Sequence, residues 1–267
     1  MGVQTLKHKR SLEKLVKLQR QIGDINEIFR SYYPVAVVKD NCFYIYDMVA
    51  DAGYDLVKKE PCPFPIPEGV RAAFPLESYD MKIAAVLSED AFDSLEGLVS
   101  ILHEFVHCSQ FNGCEMELKE GLKIARTYRL ENNYSWEIDH PFPYEDKDFI
   151  RLYGQYMEAL DKKDLDKAKL RRMGLAKVLE RIDFEYLLWQ EWKEGLARYI
   201  ENQIRARLGL KGNHYGHEKP YHRVSFYESG SEYIGLIESY NKQAIDNKKL
   251  FFLMNQGQLM GIEDGPI

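Results

Sequence analysis

Long apolar runs are missing from the 267-residue sequence. A membrane-spanning helix needs about 20 consecutive apolar residues, and no segment approaches that length. The first ten residues are polar and basic, and no apolar stretch follows them, so the pattern of a secretory signal is missing too. These absences predict a cytoplasmic protein without a membrane span.

Cysteine pairs and an excess of basic residues are also missing. The four cysteines, Cys42, Cys62, Cys108 and Cys114, form no Cys-x-x-Cys pair and are too few for a disulfide scaffold. The formal net charge is −6 and the pI is about 5.7. Proteins that bind nucleic acid usually carry a basic face, so a nucleic-acid partner is not expected. Nothing in the sequence indicates an oligomeric state.

The apolar pattern predicts an α+β protein that is mostly helical. A period near 3.6 predicts an amphipathic helix from Leu6 to Phe29. β-Branched and aromatic runs predict a hairpin within residues 33–47 and a short strand over residues 81–87. Five prolines between Glu60 and Pro75 predict an ordered surface loop.

The second half of the chain is expected to be helical from Phe149 almost to the end. Breaks are predicted at residues 161–164, at Asp183, at residues 210–221 and at residues 240–242. No internal repeat or linker marks a boundary. The sequence therefore predicts a single domain over residues 1–267, with a β-containing part at roughly 30–113 and a helical part at roughly 114–267.

One further helix is predicted over Asp93–Asn112, and it is apolar nearly all round, as a buried helix would be. Asp93 followed by Glu96 is similar to a capping box, and Gly113 is a plausible C-terminal stop. This helix contains His103-Glu104-Phe-Val-His107.

Histidines four residues apart on a helix lie one turn apart on one face, where both can bind one Zn²⁺. Glu104, adjacent to His103, could then take a proton from water at the metal. A chain with only seven histidines rarely contains this spacing by chance. Polar groups inside an apolar helix also need compensation, which a metal supplies. The alternative is a hydrogen-bonded pair of core histidines.

A later segment, Glu194-Gly195-x-Ala197-x-Tyr199, completes a pattern that resembles the gluzincin branch of the zincin metallopeptidases. The resemblance implies a zincin-like fold with a small N-terminal β-sheet, a buried active-site helix and a helical C-terminal half. It also implies a Zn²⁺ cofactor, a peptide or protein substrate, Glu194 as the third zinc ligand and Glu104 as the general base. Gly195 and Ala197 would let the two motif helices approach closely.

Two neighbours of Glu194 leave questions open. Glu191 is a rival third ligand because it lies three residues earlier and could share the same face. Glu194 is favoured because the glycine after it permits close backbone approach. Many gluzincins place an acidic residue four positions after this ligand to orient a histidine. This chain has Arg198 there.

The donor that would stabilise an oxyanion is expected just past the second motif, where the family usually supplies it. The best candidates are His222 and Tyr227. The other candidates are Tyr199, His214, His217 and Tyr221. The irregular spacing of His214, His217 and His222 argues against a second metal bound by these three histidines. The proline-rich loop and the aromatic segment Tyr134–Tyr144 could line a substrate cleft or simply cover the core.

Three functional hypotheses follow from these motifs. The leading one is a zinc-dependent metallopeptidase. The second is a non-catalytic, zincin-like protein used for binding or regulation, against which the intact Glu104 argues. The third is a zinc hydrolase that acts on a non-peptide amide.

Overall fold

The structure, a computed structural model, describes residues 3–49, 53–240 and 246–255. Within these residues the chain is α+β, with five strands and ten α-helices. None of these helices combines the length and the apolar character of a membrane span. The chain divides into two compact units: unit 1 covers residues 1–112 and 200–212, and unit 2 covers residues 113–199 and 213–267. The single-domain interpretation stays a prediction.

Unit 1 contains a five-stranded mixed sheet in the order β3-β2-β1-β5-β4. Strand β1 pairs in parallel with β5, and the other neighbours are antiparallel. The predicted hairpin and the predicted strand at residues 81–87 are confirmed. The strands are β1 (Val35–Lys39), β2 (Cys42–Val49), β3 (Gly53–Pro61), β4 (Arg71–Leu76) and β5 (Lys82–Ser88).

The proline-rich segment lies between the two edge strands. Its ends belong to β3 and β4, so the loop is shorter than predicted, and Pro75 lies in β4 opposite Ile83 of β5. Proline is tolerated there because an edge strand has one row of backbone groups without a partner strand. Cys62 and Ile66 pack against the apolar cluster on one face of the sheet. In this loop, those two residues therefore cover the core.

Two α-helices of unit 1 are α1 (Val3–Gln21) and α2 (Leu95–Gln110). The predicted end of the first helix at Phe29 is wrong, because Asn26 accepts a hydrogen bond from the Ile28 amide and starts a separate 3-10 turn, Glu27–Arg30. Helix α2 packs against β4 and β5. Its N-cap is Ser94, which accepts from the Gly97 amide at 2.9 Å, and not Asp93 as predicted.

Gly113 does not stop α2. The chain continues through a single π-type turn, Phe111–Glu115, into the first helix of unit 2. Unit 2 consists of α3 (Met116–Gly121), α4 (Lys123–Leu130), α5 (Trp136–Asp139), α6 (Lys147–Asp161), α7 (Leu165–Val178), α8 (Arg181–Arg207), α9 (Arg223–Tyr240) and α10 (Asn247–Asn255). Helix α8 is continuous across the boundary at residues 199/200, so its last turns belong to unit 1.

The predicted breaks at residues 161–164 and 210–221 are confirmed, and the break placed at Asp183 occurs earlier, between Val178 and Arg181. The break placed at residues 240–242 follows the end of α9 and lies mostly outside the described residues.

Much of the core of unit 2 is aromatic. The ring of Phe142 lies 5.0 Å from the rings of both Phe149 and Phe226. Part of the aromatic segment Tyr134–Tyr144 is therefore core, although Tyr134 itself is exposed.

Candidate metal centre

Helix α2 carries His103, Glu104 and His107 on its C-terminal half. Glu104 and His107 are buried and His103 is half-buried. The two imidazole centroids are 5.0 Å apart, with the ring planes at 73°. The four-residue spacing of the motif therefore places two imidazoles side by side in a site that is largely shielded from water.

Each imidazole is oriented through its Nδ1 atom. Nδ1 of His103 lies 3.0 Å from Oε2 of Glu201, which is carried by the part of α8 that belongs to unit 1. Nδ1 of His107 lies 2.9 Å from Oε1 of Gln110, one turn further along α2. An acceptor at Nδ1 favours the tautomer with its proton there, so the lone pair lies on Nε2. Metal-binding histidines in proteins are almost always held in this way.

Glu201, which was not among the residues predicted from the sequence, contacts the first histidine of the motif. Its second oxygen, Oε1, accepts from Nε of Arg205 at 2.7 Å. The carboxylate therefore links a cation to the His103 ring. Many gluzincins have an acidic residue at the position of Arg198 to orient a histidine. In this chain the acidic residue that contacts His103 is Glu201, three residues later. A search for acids on the Glu194 face of α8 could have found it, because Glu201 is seven residues on, about two helical turns.

Glu194 is half-buried on α8. Within unit 2 it is an electrostatic neighbour of Tyr186 and Tyr227. Burial and, to a smaller extent, the Glu194 carboxylate raise the pKa of both phenols, and the pKa of Tyr186 is about 12. The positive charge of Arg223 lowers the pKa of both phenols and so partly opposes this rise. Glu194 therefore lies in a group of two protonated tyrosines and an arginine, of which the sequence predicted only Tyr227.

Glu191, the rival third ligand, is already engaged on both oxygens. Its Oε2 accepts from Nε and Nη2 of Arg172 at 2.9 and 2.7 Å, and its Oε1 accepts from the Ser229 hydroxyl at 2.7 Å. Both members of the Arg172–Glu191 pair are fully buried. A metal would have to displace a buried guanidinium, which is strongly unfavourable. The contacts therefore favour Glu194 over Glu191.

Gly195 does permit a close helix contact, but the partner is α9. A Cβ atom at Gly195 would lie 2.6 Å from Cα of Gly230, and one at Gly230 would lie 2.2 Å from the carbonyl oxygen of Glu191. The two glycines thus let the backbones of α8 and α9 touch. The close approach at Gly195 is therefore to α9, and its role in the approach of the two motif helices stays a prediction.

Arg198 holds a loop. Its Nη1 donates to the carbonyl oxygens of Asn213 and Tyr215, at 3.4 and 3.1 Å. The same nitrogen lies 3.8 Å from Oε2 of Glu228. At this position many gluzincins have an acidic residue. Here the arginine instead binds the segment between α8 and α9.

The two favoured oxyanion donors lie in different surroundings. The ring of Tyr227 has the guanidinium groups of Arg198 and Arg223 each 5.8 Å from its centre, and Glu194 is its electrostatic neighbour. His222 lines a cavity of about 800 Å³ with His214 and Glu228, and its Nδ1 accepts from the Val224 amide. Of the two, Tyr227 therefore has the described contact with the electrostatic field of Glu194.

Two of the other candidates make structural contacts. The Tyr199 hydroxyl donates to Oε2 of Glu238 at 2.9 Å. The Tyr221 ring packs 4.8 Å from the ring of Tyr153. Neither contact involves a residue of the proposed metal centre.

Comparison with known proteins adds no relative. No family model matches the sequence, and no curated protein and no solved structure matches it. The functional conclusion therefore rests on the chemistry of these side chains.

Proposed function

We propose that this chain is a zinc-dependent metallopeptidase in which His103, His107 and Glu194 hold the metal. The observation that supports this most is the pair of imidazoles on α2, each with an acceptor at Nδ1. Two imidazoles and one carboxylate are a donor set that catalytic zinc uses, with a further position left for water or substrate. A hydrogen-bonded pair of core histidines would also have such acceptors, but it would need no carboxylate from Glu194 as a third ligand.

The positions of Glu194 and Glu201 around the axis of α8 favour Glu194 as the third ligand. Glu201, on the same continuous helix, contacts His103. Seven residues correspond to about two turns, so Glu194 lies on nearly the same face, about 10 Å along the helix axis. Glu191, ten residues before Glu201, is about 80° away from it around the helix and is engaged by Arg172.

Zinc, when bound, lowers the pKa of a coordinated water to about 7 and polarises a carbonyl. Glu104, next to His103 and shielded from solvent, accepts the proton of the attacking water and returns it to the leaving amine. Tyr227 is the preferred donor to the developing oxyanion. Burial and the neighbouring carboxylate raise its pKa, so its hydroxyl keeps its proton at neutral pH.

The test is Glu104→Gln, which keeps the size of the side chain and removes the base. We expect wild type and variant to retain equal amounts of zinc by mass spectrometry, and the variant to lose at least about 10²-fold in the cleavage of a fluorogenic peptide library. The matched control is Glu96→Gln, in the exposed first turn of the same helix, which should change neither quantity.

Two outcomes would contradict the proposal. A wild-type chain that takes up no zinc would remove the metal centre. A Glu104→Gln variant that cleaves as fast as wild type would show that Glu104 is not the base.

A further inference from the structure

A second group of potential ligands lies within unit 2, at the cavity of about 800 Å³ that His222 also lines. His214 comes from the segment between α8 and α9, and Glu228 and Glu232 come from α9. One ligand atom from each of the three lies within 4.8 Å of the others. The two glutamates are four residues apart, so they project from the same face of the helix.

Glu228 is buried in a way that points to a missing cation. Its side chain is 1% exposed, yet it lines the cavity. Oε1 lies 2.7 Å from Nδ1 of His214, and Oε2 has no hydrogen-bond partner among the described residues. Nη1 of Arg198 lies 3.8 Å from Oε2, which is beyond hydrogen-bond length.

Removing a carboxylate from water without full compensation is costly. Burial raises the pKa of Glu228, and the neighbouring His214 only partly opposes this. A divalent cation in the cavity would satisfy the oxygen that has no hydrogen-bond partner.

Glu232 has a competing partner, Lys163, with which it forms an ion pair. The Lys163 side chain is 62% exposed. Exposed ion pairs of this kind contribute about 0–1 kcal/mol to the free energy of unfolding, so the ammonium group is easily displaced into water. The ion pair therefore does not prevent Glu232 from binding a metal.

We propose that His214, Glu228 and Glu232 form a binding site for a divalent first-row transition-metal ion, with Zn²⁺ as the expected occupant. One imidazole and two carboxylates suit Zn²⁺, whereas Ca²⁺ and Mg²⁺ prefer oxygen ligands alone. Three protein ligands leave further positions for water or for a small anionic ligand in the cavity. The metal would also tie the segment that carries His214 to α9. This site does not depend on the proposed metallopeptidase centre.

The test is the zinc stoichiometry of the full chain. The protein is stripped with a chelator, titrated with Zn²⁺ by calorimetry, and measured for bound metal after gel filtration. We expect two Zn²⁺ per wild-type chain. His103→Ala/His107→Ala should retain one, and Glu232→Gln in that background should weaken the remaining site at least about tenfold. Because His214 is exposed and Glu232 is half-buried, these positions tolerate substitution.

Glu218→Gln is the matched control, since it makes the same chemical change at an exposed residue that lines the same cavity. It should leave both sites intact. A Ca²⁺ titration should give no binding at this site.

The outcomes separate this inference from the proposed function. One Zn²⁺ that His103→Ala/His107→Ala removes would overturn the second site and leave the first. One Zn²⁺ that survives in that variant but is lost in His214→Ala would support the second site and overturn the first. A wild-type chain without bound zinc would overturn both.

Discussion

Both oxygens of Glu201 are engaged, one by His103 and the other by Arg205. Glu201→Gln keeps the size and one acceptor but removes the charge that holds the imidazole. Partners of this kind typically contribute 10- to 100-fold in metal affinity, and we expect a loss in that range. Competition with a chromophoric chelator measures it.

The control for this variant is Glu13→Gln, at an exposed position on α1. The unfolding midpoint of the zinc-free protein should fall in Glu201→Gln, because the buried carboxylate loses its charge opposite Arg205, and should stay unchanged in Glu13→Gln. Zinc affinities are therefore compared at a temperature at which both variants are folded. A zinc affinity of Glu201→Gln within twofold of wild type would contradict the assigned orientation of His103.

At the residue scale, the sequence predicts what lies within one helical turn. His103 and His107 become neighbours because helical spacing alone brings them together. The contact between His103 and Glu201 joins residues 98 apart, and the engagement of Glu191 by Arg172 joins α7 and α8. Contacts of this kind depend on tertiary packing, which no local pattern encodes.

Among the elements, the contact between α8 and α9 is the most sensitive to size. Gly195→Ala would place a Cβ atom 2.6 Å from Cα of Gly230. Backbone cannot give way as a side chain does, so we expect the unfolding free energy to fall by about 1–3 kcal/mol despite the better helix propensity of alanine. Urea denaturation measures the change.

Gly174→Ala on α7 is the matched control. Its nearest neighbour would be the end of the Leu152 side chain at 3.8 Å, an ordinary contact. Here we expect unchanged or slightly increased stability, because alanine favours the helix. Equal effects of the two substitutions would show that the α8–α9 contact is looser than described.

Element type was easier to predict than element ends. The first helix ends at Gln21 because the Asn26 side chain supports a competing turn. Helix α2 runs past Gly113 because a π-type turn continues it. The ends of the proline-rich segment are strands because an edge position accepts proline. In each case two local preferences conflict, and the surrounding structure decides between them.

At the scale of the whole molecule, acid should destabilise the chain through Glu137. Burial alone would raise its pKa, but the attraction of Lys193 and Lys119 outweighs burial and lowers the pKa to about 2 from 4.5. A lowered pKa stabilises the folded state above pH 4.5, and this contribution is lost as the pH falls from 4.5 towards 2. The loss is at most about 3 kcal/mol.

Unfolding by urea between pH 6 and pH 2.5 tests this. Glu137→Gln should be less stable than wild type at pH 6 and should show a shallower decline on acidification. Glu131→Gln, at an exposed residue in the same region, should follow the wild-type curve. Parallel curves for wild type and Glu137→Gln would contradict the role of Glu137.

The division into two units is the whole-molecule feature that the sequence hides. No change of composition marks residues 112/113, and residues 200–212 return to unit 1 after almost ninety residues in unit 2. The predicted change from β-containing to helical sequence near residue 113 comes close to the first boundary. The second boundary falls inside α8, where helical periodicity is uninterrupted.

Because α8 is one continuous helix, the number of residues between two positions fixes both their distance along the axis and their angle around it. Each residue advances the helix by about 100° and 1.5 Å, so the seven residues from Glu194 to Glu201 bring the two carboxylates to nearly the same side. Insertion of one residue between them would rotate Glu194 by about 100° away from that side while leaving Glu201 in place. The proposed metal centre would therefore constrain the length of this interval even where it does not constrain its side chains.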